Sequence, residues 1–466
     1  MNKTVAFVSL TAGLALTALV LGLPHVAPPH PATPVPPSKP ATASNGSLTM
    51  TSRLSHPYIT PGSADLFVTV DVTGVEVPGS KRTPVNLAVV IDRSGSMSGY
   101  KLQQAKQAAR HLVGLLGPED RLAIVHYGSD VKSLPGLPAS PSNRERMLQY
   151  IEGIWDDGGT NIGAGLHTGR SLVAAVRGDY TVNRIILLSD GQATEGITDD
   201  ASLTEVVKGI RTEGITVSAI GVGTDFNEDL MQGFAEYGAG AYGFLEDAGQ
   251  LASLFQKDLR QASTSVARNV ELTFQLPEGV MLGEVLGYRA HQEGRTVRVP
   301  LPDFSSGQVE RVVARVTVVG TRAGSAVDVT GLKLAYADLL KGTGVESAAS
   351  LSAMVTERRE EVLARQDKDA TVYATRAMSA KNLKMAAQAL RDGRKEEAKG
   401  YVMQNQVLFQ QAGAVASPSA VAADLEEQRA VLQEYEQASD DESVGAAVKR
   451  TKSKAMKSFG KLGSTY

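Results

Sequence analysis

The chain has 466 residues, 42% hydrophobic and 21% charged, with a formal net charge of -3; that length suits more than one domain, and no basic excess points to nucleic acid. It contains no cysteine, which excludes disulfides, thiolate metal sites and cysteine nucleophiles. Any metal must be held by oxygen or by the seven histidines.

Lys3 precedes a nineteen-residue apolar run, Val5–Leu23, and His25–Pro40 is dense in proline. Residues 1–23 read as a targeting segment, either a cleaved signal peptide or an uncleaved membrane anchor, since about 20 residues suits a span. In both cases Lys3 stays cytoplasmic and the body of the protein is exported, to the periplasm or cell surface. Residues 24–47 read as a Pro/Ala/Ser/Thr tether. Residues 48–84 carry two alternating runs, Leu48–Leu54 and Ala64–Val72, separated by turn-forming Tyr58–Ser63; these predict β-strands.

Residues 85–262 alternate between strand and helix. Val85–Ile91 is a short apolar run without charge, followed from Lys101 by a helical stripe of Leu102, Ala105, Ala109, Leu112 and Leu116. Further strands are predicted at Arg121–Tyr127, Val131–Leu134, Arg184–Ser189, Ile215–Val222 and Gly240–Leu245. Helices fall between and after them, at Arg144–Ile154, Asn161–Val176, Leu203–Thr212, Glu228–Tyr237 and Ala248–Leu259. This pattern predicts an α/β domain with a doubly wound, mostly parallel sheet. Period-two runs return in 263–344, at Ser265–Phe274, Val280–Val285, Thr296–Leu301, Gln308–Val319 and Ala326–Tyr336, as in a β-sandwich. The unpaired strands of 48–84 are expected to join it, so that the α/β domain is inserted between its two halves. Residues 345–438 read as a helical region, with Lys381–Leu390 and Glu396–Gln410 forming a hairpin, and 439–466 as a disordered charged tail.

Chemistry concentrates at three places. Asp92, Ser94 and Ser96 alternate where the first strand becomes a helix, Thr160 ends the loop Asp156–Thr160, and Asp190 follows Arg184–Ser189. If the strand order reverses between the first strand and Arg184–Ser189, both aspartates line one crevice at the carboxyl edge of the sheet. Three hydroxyls and two carboxylates make a hard, oxygen-only set suited to Mg²⁺ or Mn²⁺. With the carboxylates acting partly through water, the ion stays electron-poor, and a carboxylate from another molecule is the natural last ligand.

The motifs Asp92-Arg93-Ser94-Gly95-Ser96, Thr160 and Asp190-Gly191 resemble the metal-ion-dependent adhesion site of von Willebrand factor type A domains over about residues 85–262. The resemblance implies that Ser94, Ser96 and Thr160 coordinate through hydroxyls and that Asp92 and Asp190 act directly or through water. It implies a protein partner offering an Asp or Glu side chain, and a role in envelope adhesion or assembly without catalysis. The flanking strands and helical region more loosely resemble bacterial relatives of inter-alpha-trypsin inhibitor heavy chains.

Plainer readings exist for each feature. Asp92, Ser94 and Ser96 also suit helix caps; Asp156 and Asp157 suit loop solvation; the histidines show no ligand spacing; and Trp155 suits packing. One rival is a serine hydrolase with Ser98 as nucleophile in a Gly95–Ser98–Gly99 elbow, for which His291 is the only histidine late enough to follow Asp190. The other is a structural envelope protein that needs no metal.

Overall fold

The computed structural model describes residues 40–77, 83–223, 226–245 and 264–459. The N-terminal run, the helix expected at 248–259 and residues 460–466 lie outside them. The described residues open with strands β1 (Ala41–Ser44), β2 (Leu48–Leu54), β3 (Tyr58–Ile59) and β4 (Gly62–Gly74). The α/β segment follows, with β5 (Val85–Asp92), α1 (Tyr100–Leu115), β6 (Arg121–Tyr127), β7 (Val131–Pro138), α2 (Pro141–Glu152) and α3 (Ile162–Ala174). It continues through β8 (Val182–Ser189), α4 (Asp200–Thr212), β9 (Thr216–Val222), α5 (Glu228–Tyr237) and β10 (Ala239–Leu245). Then come β11 (Ser265–Gln275), β12 (Met281–Leu286), β13 (His291–Glu293), β14 (Thr296–Pro300), β15 (Phe304–Ser305), β16 (Val309–Gly320), β17 (Ala326–Asp338) and β18 (Thr343–Val355). Helices α6 (Arg359–Ala364), α7 (Lys368–Arg391), α8 (Lys395–Val415), α9 (Ala422–Gln437) and α10 (Asp441–Ser458) complete the described chain.

One sheet runs β1-β2-β4-β16-β12 and a second β13-β14-β11-β17-β18-β3, with β15 paired to β11. β4 pairs with β16 from Thr73↔Val309 to Gly62↔Gly320, so strands before and after the α/β segment share one sheet. The two sheets enclose a common core in which Met50, Val68 and Val70 meet Leu272, Phe274, Val316 and Leu334. Each such side chain contributes about 1.5–3 kcal/mol by leaving water. The helices bury their apolar stripes against the outside of the five-stranded sheet, where Leu286 and Val313 pack with Ala377, Leu383 and Val402.

Between β4 and β11 lies the third sheet, ordered β10-β9-β8-β5-β6-β7. Its strands are parallel except β7, which pairs antiparallel with β6. β5 and β8 are buried along their full length, because helices cover both faces: Leu87, Val89 and Ile91 pack with Leu102, Ala109 and Leu112 of α1. Ala88 and Val90 pack on the other side with Leu166, Val173 and Phe234. Strands this apolar on both faces need this double cover.

Three sequence expectations are corrected. The tether reading ends too late, since Ala41–Ser44 pairs with β2. The helical region does not begin at Val345: β18 pairs with β17 from Thr343 to Met354. Its Glu, Ala and Ser favour helix in isolation, and sheet pairing overrides that preference. The segment read as a disordered tail contains helix α10, whose Ala447, Val448 and Ala455 are buried. Among the described residues, no helix is long and apolar enough to cross a membrane.

Candidate metal centre

The chain runs from β5 outward to β6 on one side and returns to place β8 on the other. The carboxyl ends of β5 and β8 therefore flank a topological switch point, where such sheets open a crevice. Their parallel register pairs Ile91 with Leu188, which sets Asp92 beside Ser189 and Asp190 just beyond.

Asp92 is fully buried and its carboxylate is claimed on both sides. Oδ1 accepts the Ser94 amide at 2.9 Å; Oδ2 accepts Ser189 Oγ at 2.7 Å and Tyr127 OH at 3.1 Å. The Ser94 bond folds the chain back so that Ser94 Oγ and Ser96 Oγ come within 3.1 Å of each other. Burial raises the Asp92 carboxyl to about 6 against the opposing bonds from Ser94 and Ser189, with the neighbouring Asp190 charge adding to the rise. Burial also raises the Tyr127 phenol well above its usual range, so it remains a donor. A nearby cation would favour the ionised carboxylate.

The threonine loop is tied to the same edge by its backbone. The Gly95 amide donates to Gly158 O at 3.1 Å and the Asp157 amide to Arg93 O at 2.8 Å. Gly159 N–H donates to Ser129 Oγ at 2.8 Å. Gly158 has φ +77, and a Cβ there would lie 2.6 Å from Ser129 Oγ, so only glycine fits. Thr160 is buried; its amide donates to Thr194 Oγ1 at 2.9 Å, and its carbonyl accepts from Thr194 and Glu195. Arg93, buried in the same corner, pairs with Asp130 and approaches Asp157 Oδ2 at 3.4 Å.

Asp190 differs from Asp92. It is 1% exposed, and no hydrogen-bond donor among the described residues reaches either carboxylate oxygen. Lys101 Nζ stands 3.6 Å from Oδ2. Buried carboxylate oxygens are ordinarily hydrogen-bonded because leaving them bare is costly. Two bare oxygens close enough for their charge to act on Asp92, at the same sheet edge as the Ser94 and Ser96 hydroxyls, are what a hard cation would satisfy, so the residues present fit Mg²⁺ or Mn²⁺. Among the described residues no group of three or more His, Asp or Glu side chains forms a rival metal cluster.

The sequence reading did not single out Tyr127, Ser189, Arg93 or Lys101. Tyr127 and Ser189 end strands adjacent to β5, and polar residues at carboxyl strand ends were the available signal. Trp155 does not pack: it is 74% exposed on the rim, with Lys106 Nζ 5.6 Å from its ring centroid. The hydrolase expectation fails on register, since the centre of Gly95–Gly99 is Met97, fully buried in the α1 core, and His291 lies on exposed β13. His126 faces Tyr150, and burial, helped by Arg93 and Lys132, lowers it to about 4, leaving it neutral.

Residues 86–257, which form this doubly wound sheet and its helices, match the sequence model of the von Willebrand factor type A domain. The chain is similar over 264 residues, at 29% identity, to the uncharacterized protein YfbK of Escherichia coli, covering 54% of this chain and 45% of that one. It is 30% identical over 154 residues to inter-alpha-trypsin inhibitor heavy chain H1 of Mesocricetus auratus, covering 32% of this chain and 17% of that one. The chain thus spans about half or less of these curated relatives. Among solved structures, a von Willebrand factor type A protein from Catenulispora acidiphila superposes with TM-score 0.65 at 16% identity, over 89% of this chain and 97% of that one. The ArnB paralog VWA2 from Sulfolobus acidocaldarius gives 0.55 at 19%, over 89% and 99%. These two share the fold of nearly the whole described chain.

Proposed function

We propose that the type A domain holds Mg²⁺ or Mn²⁺ through the hydroxyls of Ser94, Ser96 and Thr160, with Asp92 and Asp190 acting directly or through water, and captures an acidic side chain of a partner protein. The observation that supports this most is the donorless, buried Asp190 carboxylate. Asp92 serves chiefly as a brace, since both its oxygens already hold Ser94, Ser189 and Tyr127. The bound ion supplies a fixed positive charge with room for one exogenous carboxylate.

The rim suits a protein partner. Trp155 and Tyr100 are 74% and 63% exposed, and aromatic side chains of this kind anchor interfaces. No catalytic step is assigned: the rival serine elbow would centre on buried Met97, and the nearby His126 packs against Tyr150. The charged start and apolar run of residues 1–23 favour a place outside the cytoplasmic membrane.

Calorimetry of the purified full chain tests the metal. Wild type is expected to bind one Mg²⁺ per chain, and Asp190→Ala to abolish the binding heat. No heat in either would leave a metal-independent structural protein as the better account, and equal heats in both would show that the ion binds without Asp190.

A further inference from the structure

The C-terminal helix α10 has two working faces. Ala447, Val448 and Ala455 lie in the helical core with Leu383 and Leu390. The flank beside that stripe reaches the type A domain: Lys449 Nζ donates to Phe226 O at 2.8 Å and sits 3.7 Å from the centroid of the Phe226 ring. Lys449 and Lys452 lie 3.8 and 2.9 Å from Glu228 Oε2, and Arg391 of α7 stands 3.4 Å from the same oxygen. Glu228 and the Lys449 side chain are each only 5% exposed. Burying an ammonium is costly unless carbonyl, carboxylate and ring all compensate it together. The docked arrangement is therefore all-or-none, with water as the only good alternative.

Between Phe226 and Glu228 stands Asn227, whose amide donates to Asp190 O at 2.7 Å. Its side chain caps α5 by accepting the Leu230 amide at 3.2 Å. Its carbonyl lies against Gly191, where φ is +69 and a Cβ would come within 3.2 Å of that oxygen. Residues 226–228 are thus gripped by α10 on one side and by Asp190-Gly191 on the other. We propose that Lys449 and Lys452 of α10 are positioning residues for Asp190, acting through Phe226–Glu228, so that docking of the C-terminal helix and cation binding are coupled. This rests on the metal reading above. By linkage, whatever factor docking contributes to cation affinity, the cation returns to docking.

The test compares the full chain, the double variant Lys449→Met with Lys452→Met, and Glu228→Gln, which keeps both lysines and most of the side-chain shape. Two readouts are taken: amide hydrogen exchange without added metal, and Mg²⁺ calorimetry. In both variants the amides of Gly191 and Asn227 are expected to exchange at least about fivefold faster, and Mg²⁺ to bind about tenfold more weakly, within the usual range for coupled sites. In wild type, saturating Mg²⁺ is expected to slow exchange across 441–455. Faster exchange confined to α10 and its neighbouring helices, with Mg²⁺ affinity within about twofold of wild type, would overturn the proposal and leave α10 a strut. Wild type without Mg²⁺ heat would sink the metal reading instead; the Gly191 and Asn227 exchange rates would then decide the positioning claim by themselves.

Discussion

Asp190→Ala is expected to stabilise the protein in chelator and to destabilise it, relative to wild type, in magnesium. In wild type two buried oxygens lack donors, and each unsatisfied acceptor costs about 1–3 kcal/mol. Against this stands the attraction of Lys101 at 3.6 Å. That amine is 18% exposed, and an ion pair with one end in reach of water contributes about 1 kcal/mol. Taking about 1–1.5 kcal/mol for each oxygen, removing the carboxylate gains about 1–2 kcal/mol net, or about 2–8 °C in the midpoint of a domain-sized transition. Magnesium reverses the order: at a hundredfold excess over its dissociation constant a ligand adds about 2.7 kcal/mol to the form that binds it. Differential scanning fluorimetry of both proteins in chelator and in magnesium reads the crossing directly. An alanine variant less stable than wild type in chelator would refute the reasoning, because Asp190 would then be a structural carboxylate.

Gly165 of α3 sits so close to β6 that a Cβ would lie 2.5 Å from Tyr127 Cδ1. Gly165→Ala is expected to cost about 1–2 kcal/mol in urea unfolding, overpacking outweighing the gain in helix propensity. It should also weaken Mg²⁺ binding by displacing the Asp92 donor. Asp303 joins the type A domain to the sandwich, accepting Arg211 at 3.1 and 2.7 Å and Thr216 at 2.8 Å. Despite burial, which opposes it, the Arg211 and Thr216 contacts hold its carboxyl below the ordinary value. A depressed folded-state value gives stability that is present above the unfolded carboxyl, about 4, and lost as pH falls through the folded value. Asp303→Asn is therefore expected to cost about 2–3 kcal/mol near neutral pH, since the pair is mostly buried. The gap from wild type should narrow below about pH 4; a gap unchanged there would show that the ion pair is not its source.

The α/β segment was readable because its central strands carry apolar, β-branched runs such as Val85–Ile91, and such runs have no stable place except inside a covered sheet. The metal-site candidates were readable because hard oxygen ligands stand at strand ends: Val85–Asp92 ends in one and Val182–Ser189 is followed at once by Asp190. What the sequence did not disclose is the support: Tyr127 reads as another core aromatic until the β5–β6 register places its hydroxyl on Asp92. Glu346 to Ser352 prefers helix by composition, and only β17 makes it a strand. The basic stretch around Lys449 looks solvated because its partner, Glu228, lies more than two hundred residues away. Local composition carries no record of so distant a carboxylate.

The most direct measurement is a crystal structure of the full chain grown in Mn²⁺, with anomalous data to locate the metal. The account predicts one anomalous peak at the carboxyl ends of β5 and β8, within coordination distance of Ser94 and Ser96 Oγ, with Asp190 turned toward it. No peak there at saturating Mn²⁺, or a peak elsewhere with Asp190 still facing Lys101, would contradict it.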